Sequence, residues 1–194
     1  MENIIIFASG SGTNAKNIIE YFKQKGNIRV AAIFCNKPQA GVVDIAKNEN
    51  IPCIIIEKEA FFRGHSYLPE IKKYNPVLIV LAGFLWIIPP AIIQEYRGSI
   101  INIHPALLPK YGGKGFYGKF VHEAVIAAGE KESGITIHYV DEVYDHGDAI
   151  FQAKCEVLPE DSPDTLAARI HRLEYAHFPV VIEKLVSQKI QKSA

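Results

Sequence analysis

Short apolar runs alternating with amphipathic stretches constrain this chain more than any other feature. Ile4-Ile-Ile-Phe-Ala8 carries a buried-strand signature, Ser9-Gly-Ser-Gly-Thr-Asn14 follows, and Ala15 to Lys25 places Ile18, Ile19 and Phe22 at helical spacing. The strand signature returns at Val30–Cys35, Pro52–Ile56 and Val77–Ala82, with helical patterns near Gly41–Asn50 and Ser66–Tyr74 between them. That rhythm predicts a parallel sheet with right-handed crossovers. Ser99–Ile103 reads as the next strand and Lys119–Ala128 as the next helix. Ile135–Val140 and Ala149–Val157 then read as a strand pair across a turn at Asp145-His-Gly147. A last helix is predicted from Asp161-Ser-Pro-Asp164, a capping sequence with Pro in the first turn, to about Leu185. The expected fold class is α/β, a Rossmann-like open, mostly parallel sheet flanked by helices, with an antiparallel strand pair in the C-terminal half. With no repeats or linkers, one domain over 1–194 is expected.

Composition narrows the partners. Lys plus Arg and Asp plus Glu both number 21, so no net field draws the chain to nucleic acid or a membrane, and a small polar metabolite is the expected partner. Cys35, Cys53 and Cys155 are odd in number, far apart and set in apolar runs, which predicts buried reduced thiols rather than disulfides. The N-terminus enters Ile4 directly, without a basic region or cleavage site, and no apolar run is long enough for a bilayer. A cytoplasmic location is expected, as a monomer or a homodimer.

Function concentrates in Ser99-Ile-Ile-Asn102-Ile-His104-Pro105. Side chains alternate along a strand, so Asn102 and His104 share a face while Ile101 and Ile103 pack. Pro105 lacks the N–H that a central strand needs, which ends the strand at the edge where open α/β sheets bind ligands. Taken alone, the pair reads first as a strand-end cap and a structural histidine, and the rest of the chain turns that reading around.

Other segments add to it. Gly10 and Gly12 stand between a strand and a helix, so the N–H groups of Gly12, Thr13 and Asn14 can project from the helix N-terminus toward a phosphate. Ala15 and the absence of an acidic residue after Cys35 disfavour dinucleotide binding, and no Gly-Lys-Ser/Thr follows to make a Walker loop. Gly112-Gly-Lys-Gly-Phe-Tyr-Gly118 is too glycine-rich for core and predicts a loop over the strand ends. Phe84-Leu85-Trp86-Ile87-Ile88, with the only Trp, offers an apolar slot for a flat ring. The acids of Val140-Asp-Glu-Val-Tyr-Asp145 lie on a turn, and one of them leaning on His104 would raise its pKa.

Gly10-Ser-Gly-Thr-Asn14, Val80-Leu-Ala-Gly-Phe84, Ile101-Asn-Ile-His-Pro-Ala-Leu-Leu-Pro-Lys-Tyr111, Gly134-Ile-Thr-Ile-His-Tyr-Val140 and Ile150-Phe-Gln-Ala153 occur in the order found in the folate-dependent formyltransferases. Across almost its whole length the chain resembles the phosphoribosylglycinamide formyltransferases of that family. The resemblance implies formyl transfer from 10-formyltetrahydrofolate, as co-substrate and without a metal, to the amine of N1-(5-phospho-D-ribosyl)glycinamide in purine biosynthesis. It implies Asn102, His104 and Asp145 as the catalytic set, with Asp145 keeping His104 protonated. Gly12, Thr13 and Asn14 would hold the phosphate and Glu174 the glycinamide end. Leu85, Trp86, Ile87, Ile88, Asn102, Val140, Asp141 and Arg63 would line the folate site. The phosphate-binding half would span about 1–98 and the catalytic and folate half about 99–194. Two departures stand out: Trp86 occupies a place where many relatives have Arg, and Gly112–Lys119 replaces a shorter, histidine-containing loop. Alternatives are a formyltransferase acting on another amine, such as a sugar nucleotide, and an inactive phosphate-binding module. A formyltetrahydrofolate hydrolase, which usually carries an additional N-terminal domain, is disfavoured by a sequence that opens on the first strand.

Overall fold

The computed structural model describes residues 1–63 and 66–193. In chain order the elements are β1 (Glu2–Ala8), α1 (Thr13–Lys25), β2 (Ile28–Cys35), α2 (Gly41–Asn48), β3 (Cys53–Ile55), α3 (Lys58–Phe62), α4 (Leu68–Lys73), β4 (Leu78–Leu81), α5 (Pro90–Glu95), β5 (Ile100–His104), α6 (Lys119–Ala127), β6 (Glu132–Tyr139), β7 (Ala149–Glu156) and α7 (Pro163–Ser193). The strands form a seven-stranded sheet in the order β3-β2-β1-β4-β5-β6-β7. β1 to β5 pair in parallel, while β6 runs antiparallel to both β5 and β7. This is the expected α/β architecture with its antiparallel C-terminal pair.

β1 shows why the strands read as unbroken apolar runs. Ile4, Ile6 and Ala8 pack on one face with Ile18 and Phe22 of α1, Val42 of α2, Val125 of α6 and Ile170 of α7. Ile5 and Phe7 point to the other face, against Phe61 of α3, Ile71 of α4 and Ile92 of α5. A strand buried on both faces has no polar side to alternate with. The second cover exposes what the sequence pattern missed. α3 and α5 have only five and six residues, too short for a periodic signature, and α5 opens with Pro90 after Pro89, which reads as a turn.

The last helix is also longer than expected, continuing past Leu185 to Ser193 through an internal Pro179. Its start matches the capping sequence: Thr165 N–H donates to Ser162 Oγ at 3.2 Å, and Asp161 pairs with Arg169 at 2.6 and 3.1 Å. Cys35, Cys53 and Cys155 are all free thiols.

The chain lays β2 and β3 on one side of β1, then returns to place β4 on the other. This reversal opens a crevice beyond the carboxyl ends of β1 and β4, the expected ligand position in such sheets.

Candidate active site

A cavity of about 540 Å³ fills that crevice. The β1–α1 loop forms one end. Gly12 sits at φ 77°, where a Cβ would lie 2.7 Å from Val42 Cβ, so glycine is required both by conformation and by space. Gly12 caps α1 without a side-chain hydrogen bond, leaving the first N–H groups of a thirteen-residue helix available to an anion. Ser9 fixes the loop in place: its Oγ accepts the Leu85 N–H at 3.0 Å, tying the β1 and β4 loops together.

Asn14 and Glu174 meet across this end. The Asn14 amide donates to Glu174 Oε2 at 2.8 Å, joining α1 to α7, while Asn14 Oδ1 is buried without a partner. Burial raises the Glu174 pKa and the Asn14 hydrogen bond partly offsets it. Glu174 is therefore a cavity group and not a solvated helix position.

The other end is a side-chain cluster at the tip of β5. Register pairs Asn102 with His138 and His104 with Thr136 on β6. His138 Nδ1 donates to the Tyr139 carbonyl at 2.7 Å, and its Nε2 lies 3.1 Å from the Asn102 amide and 3.6 Å from Asp145 Oδ1. The same amide lies 3.4 Å from Asp145 Oδ1. His104 Nε2 donates to the Tyr111 carbonyl at 2.7 Å, and its Nδ1 faces Asp145 Oδ2 at 3.5 Å. Asp145 also accepts the Gly113 N–H at 2.9 Å. Two non-glycine residues of this cluster, Tyr111 (φ 56°) and Asp145 (φ 54°), hold left-handed backbone conformations.

Electrostatics here departs from the expectation for His104. Burial lowers its pKa below the usual 6.5, and the opposing influence of the Asp145 carboxylate and the Tyr111 carbonyl does not overcome it. The resting imidazole is neutral at pH 7, with its Nε2 proton committed to Tyr111. For Asp145, burial acts upward but the neighbouring His138 and His104 rings and the Gly113 N–H together hold the carboxyl below its ordinary value. The site thus rests as a carboxylate beside a neutral imidazole, a pair arranged to receive one proton.

Between these ends, Leu85, Trp86, Ile87 and Ile88 run along the apolar wall, facing Val140 and Asp141. Asp141 is also engaged in its own turn, accepting Val143 N–H at 2.8 Å and pairing with His146 at 2.7 Å. Arg63 stands apart: its side chain is 77% exposed, pairs with Glu59 at 3.3 Å and does not line the cavity. It caps the exposed end of α3, which directs the guanidinium to solvent. The 113–118 segment does line the cavity, as its glycine content predicted.

Three contributors escaped sequence reasoning. His138 was legible in hindsight, since it lies one strand period from Thr136 on a strand beside Asn102. Tyr111 and Gly113 act through backbone atoms, for which side-chain type gives no signal. Among the described residues, no group of three or more His, Cys, Asp or Glu is placed to hold a metal ion, and no helix is long and apolar enough to cross a membrane.

Residues 2–182 match the model of the formyl transferase family. The chain belongs to the formyl transferase family. It is 35% identical to the phosphoribosylglycinamide formyltransferase of Bacillus subtilis, over 96% of this chain and 95% of that protein. With the Escherichia coli enzyme of that name it shares 37% identity over 93% of this chain and 85% of the relative. Against the chloroplastic enzyme of Vigna unguiculata identity is 39%, and there the chain spans 62% of the relative's length. The crystal structure of glycinamide ribonucleotide transformylase 1 from Geobacillus kaustophilus superposes with a TM-score of 0.85 at 35% identity, covering 95% and 98% of the two chains.

Proposed function

We propose that this formyl transferase family member moves the formyl group of 10-formyltetrahydrofolate to the amine of N1-(5-phospho-D-ribosyl)glycinamide, in purine biosynthesis. The observation that carries this reading is one continuous cavity with a helix N-terminus free of any side-chain cap at one end and the Asn102–His104–Asp145 cluster at the other. An acceptor with a phosphate at one end and an amine at the other spans those features. The names of the full-length relatives supply the substrate class.

Gly12, Thr13 and Asn14 receive the phosphate and Glu174 the glycinamide end. The wall from Leu85 to Ile88, with Val140 and Asp141 opposite, takes the pterin. The amine attacks the formyl carbon directly: the N–C bond forms, the carbonyl electron pair moves to oxygen, and the ammonium proton passes to the His104–Asp145 pair. The Asn102 amide donates to the new oxyanion; removing a donor of this kind typically slows acyl transfer by about 10²–10³-fold. Collapse breaks the bond to the donor nitrogen, which leaves with the proton returned from the imidazolium. Holding both substrates in one cavity supplies much of the acceleration.

The test is formyl transfer from 10-formyltetrahydrofolate with and without the ribonucleotide, following folate release and acceptor formylation. Release that requires the ribonucleotide supports the reading. Release without acceptor indicates hydrolysis, and no reaction in either tube indicates a different amine or an inactive binding module.

A further inference from the structure

His122 is a buried polar side chain that the mechanism above does not use. It lies in the first turn of α6, is only 3% exposed and lines the same cavity. Its Nδ1 is buried without a hydrogen-bond partner, and among the described residues no hydrogen bond reaches the ring, so Nε2, which is not sealed off in the same way, is the nitrogen open to a cavity ligand. A buried imidazole normally finds a partner, because leaving such a group unsatisfied is costly. The cavity lining shows what surrounds it. It senses His171, one helical turn before Glu174 on α7, and His104 at the catalytic end. His122 thus shares one cavity wall with the phosphate loop, with His171 and Glu174 of α7, and with His104 at the catalytic end. Asn14, whose Oδ1 is likewise buried without a partner, lines the same cavity.

We propose that His122 is a further binding residue of the acceptor side, whose neutral imidazole hydrogen-bonds a ribose hydroxyl of the ribonucleotide. The assignment rests on the function proposed above. A phosphate at Gly12–Asn14 and an amine at His104 leave the sugar between them, beside His122. A hydroxyl both donates and accepts, as a neutral imidazole does, so the two satisfy each other with no charge buried. Burial holds this histidine uncharged, its pKa pushed down to about 4, with His171 and His104 adding to the effect. An ammonium or guanidinium in its place would carry a charge into the wall beside the amine.

The experiment compares the ribonucleotide with its 2′-deoxy and 3′-deoxy analogues on the wild-type enzyme, His122→Phe and His122→Gln, measuring kcat/KM for the acceptor, KM for the formyl donor and the melting temperature of the ligand-free protein. Wild type should discriminate against one deoxy analogue by about three- to ten-fold, the scale of one neutral hydrogen bond. His122→Phe should lose that discrimination, raise the acceptor KM, leave the donor KM unchanged and melt no lower than wild type, since it removes an unsatisfied buried nitrogen. His122→Gln, whose amide reaches toward the Nε2 position, should restore part of the discrimination and still reports if the Phe variant does not fold. Undiminished discrimination in both variants overturns the proposal, as does a fall in melting temperature with the acceptor KM unchanged. A wild-type enzyme that does not formylate the ribonucleotide at all overturns the functional reading, and this inference with it.

Discussion

The two ends of the cavity are built from different materials. The β1–α1 end is local and made of backbone: five consecutive residues, a glycine at φ 77° and the first turn of one helix. The β5 end is assembled from distant segments by side chains, with Asn102, Tyr111, His138 and Asp145 meeting across two strands and two loops. A backbone site depends on conformation and tolerates changes in most of its side chains. A side-chain network has no such reserve, because each member orients the next.

The largest effect that distinguishes the ends is therefore expected at β5. His104→Ala and Asp145→Ala should each lower kcat by about 10²–10⁴-fold while leaving ribonucleotide affinity nearly intact. Paired kinetics and calorimetry check this, and parallel loss of binding in both variants would erase the division between the ends. Gly12→Ala should do the reverse. With its Cβ 2.7 Å from that of Val42 and 2.8 Å from its Cα, the loop must shift. We expect about 1–3 kcal/mol of lost stability and a raised ribonucleotide KM, with kcat at saturation changed far less. Thermal melts and saturation kinetics measure both.

What was legible in the sequence follows the same division. Gly10 to Asn14 could be recognised because a strand, a turn and a helix start are all written in consecutive residues. Asn102 and His104 were legible because strand alternation is a local rule. Their partners were harder: Asp145 came from family resemblance, while Tyr111 and Gly113 contribute a carbonyl and an N–H that any residue possesses. The protonation state of His104 was misread for a related reason. The nearby carboxylate can be inferred from sequence, but the degree of burial that outweighs it is a property of the packed site. In the fold, the long alternating elements were visible and the two short helices over the second face were not, since α3 buries only Phe61 and α5 only the adjacent Ile92 and Ile93, neither of which makes a period.

The His104–Asp145 pair gives a smaller, sharper test of how the β5 end works. Because burial depresses the His104 pKa and Asp145 opposes this, removing the carboxylate charge should depress it further. NMR titration should place His104 below 6.5 in the wild type and lower still in Asp145→Asn. An upward movement in the variant would mean that Asp145 is not acting on His104 as an anion.

The smallest expected effect lies in acid stability and concerns the wall between the two ends. His122 has a folded pKa of about 4 against about 6.5 when unfolded, so the unfolded chain binds the additional proton. Its contribution is complete above pH 6.5, declines as pH falls and ends near pH 4, with a ceiling of about 3 kcal/mol. His104 acts in the same direction, and Glu174, whose pKa is raised, acts in the opposite one. The difference between wild type and His122→Phe isolates the one group from both. Denaturant unfolding at several pH values should show the variant losing less stability than wild type between pH 6.5 and 4, and equal slopes would place His122 in contact with water in the folded protein. A buried, neutral and partnerless imidazole is a stability cost at acid pH, and a bound ribose hydroxyl would offset it: ribonucleotide should therefore protect the wild type more than the variant in this pH window.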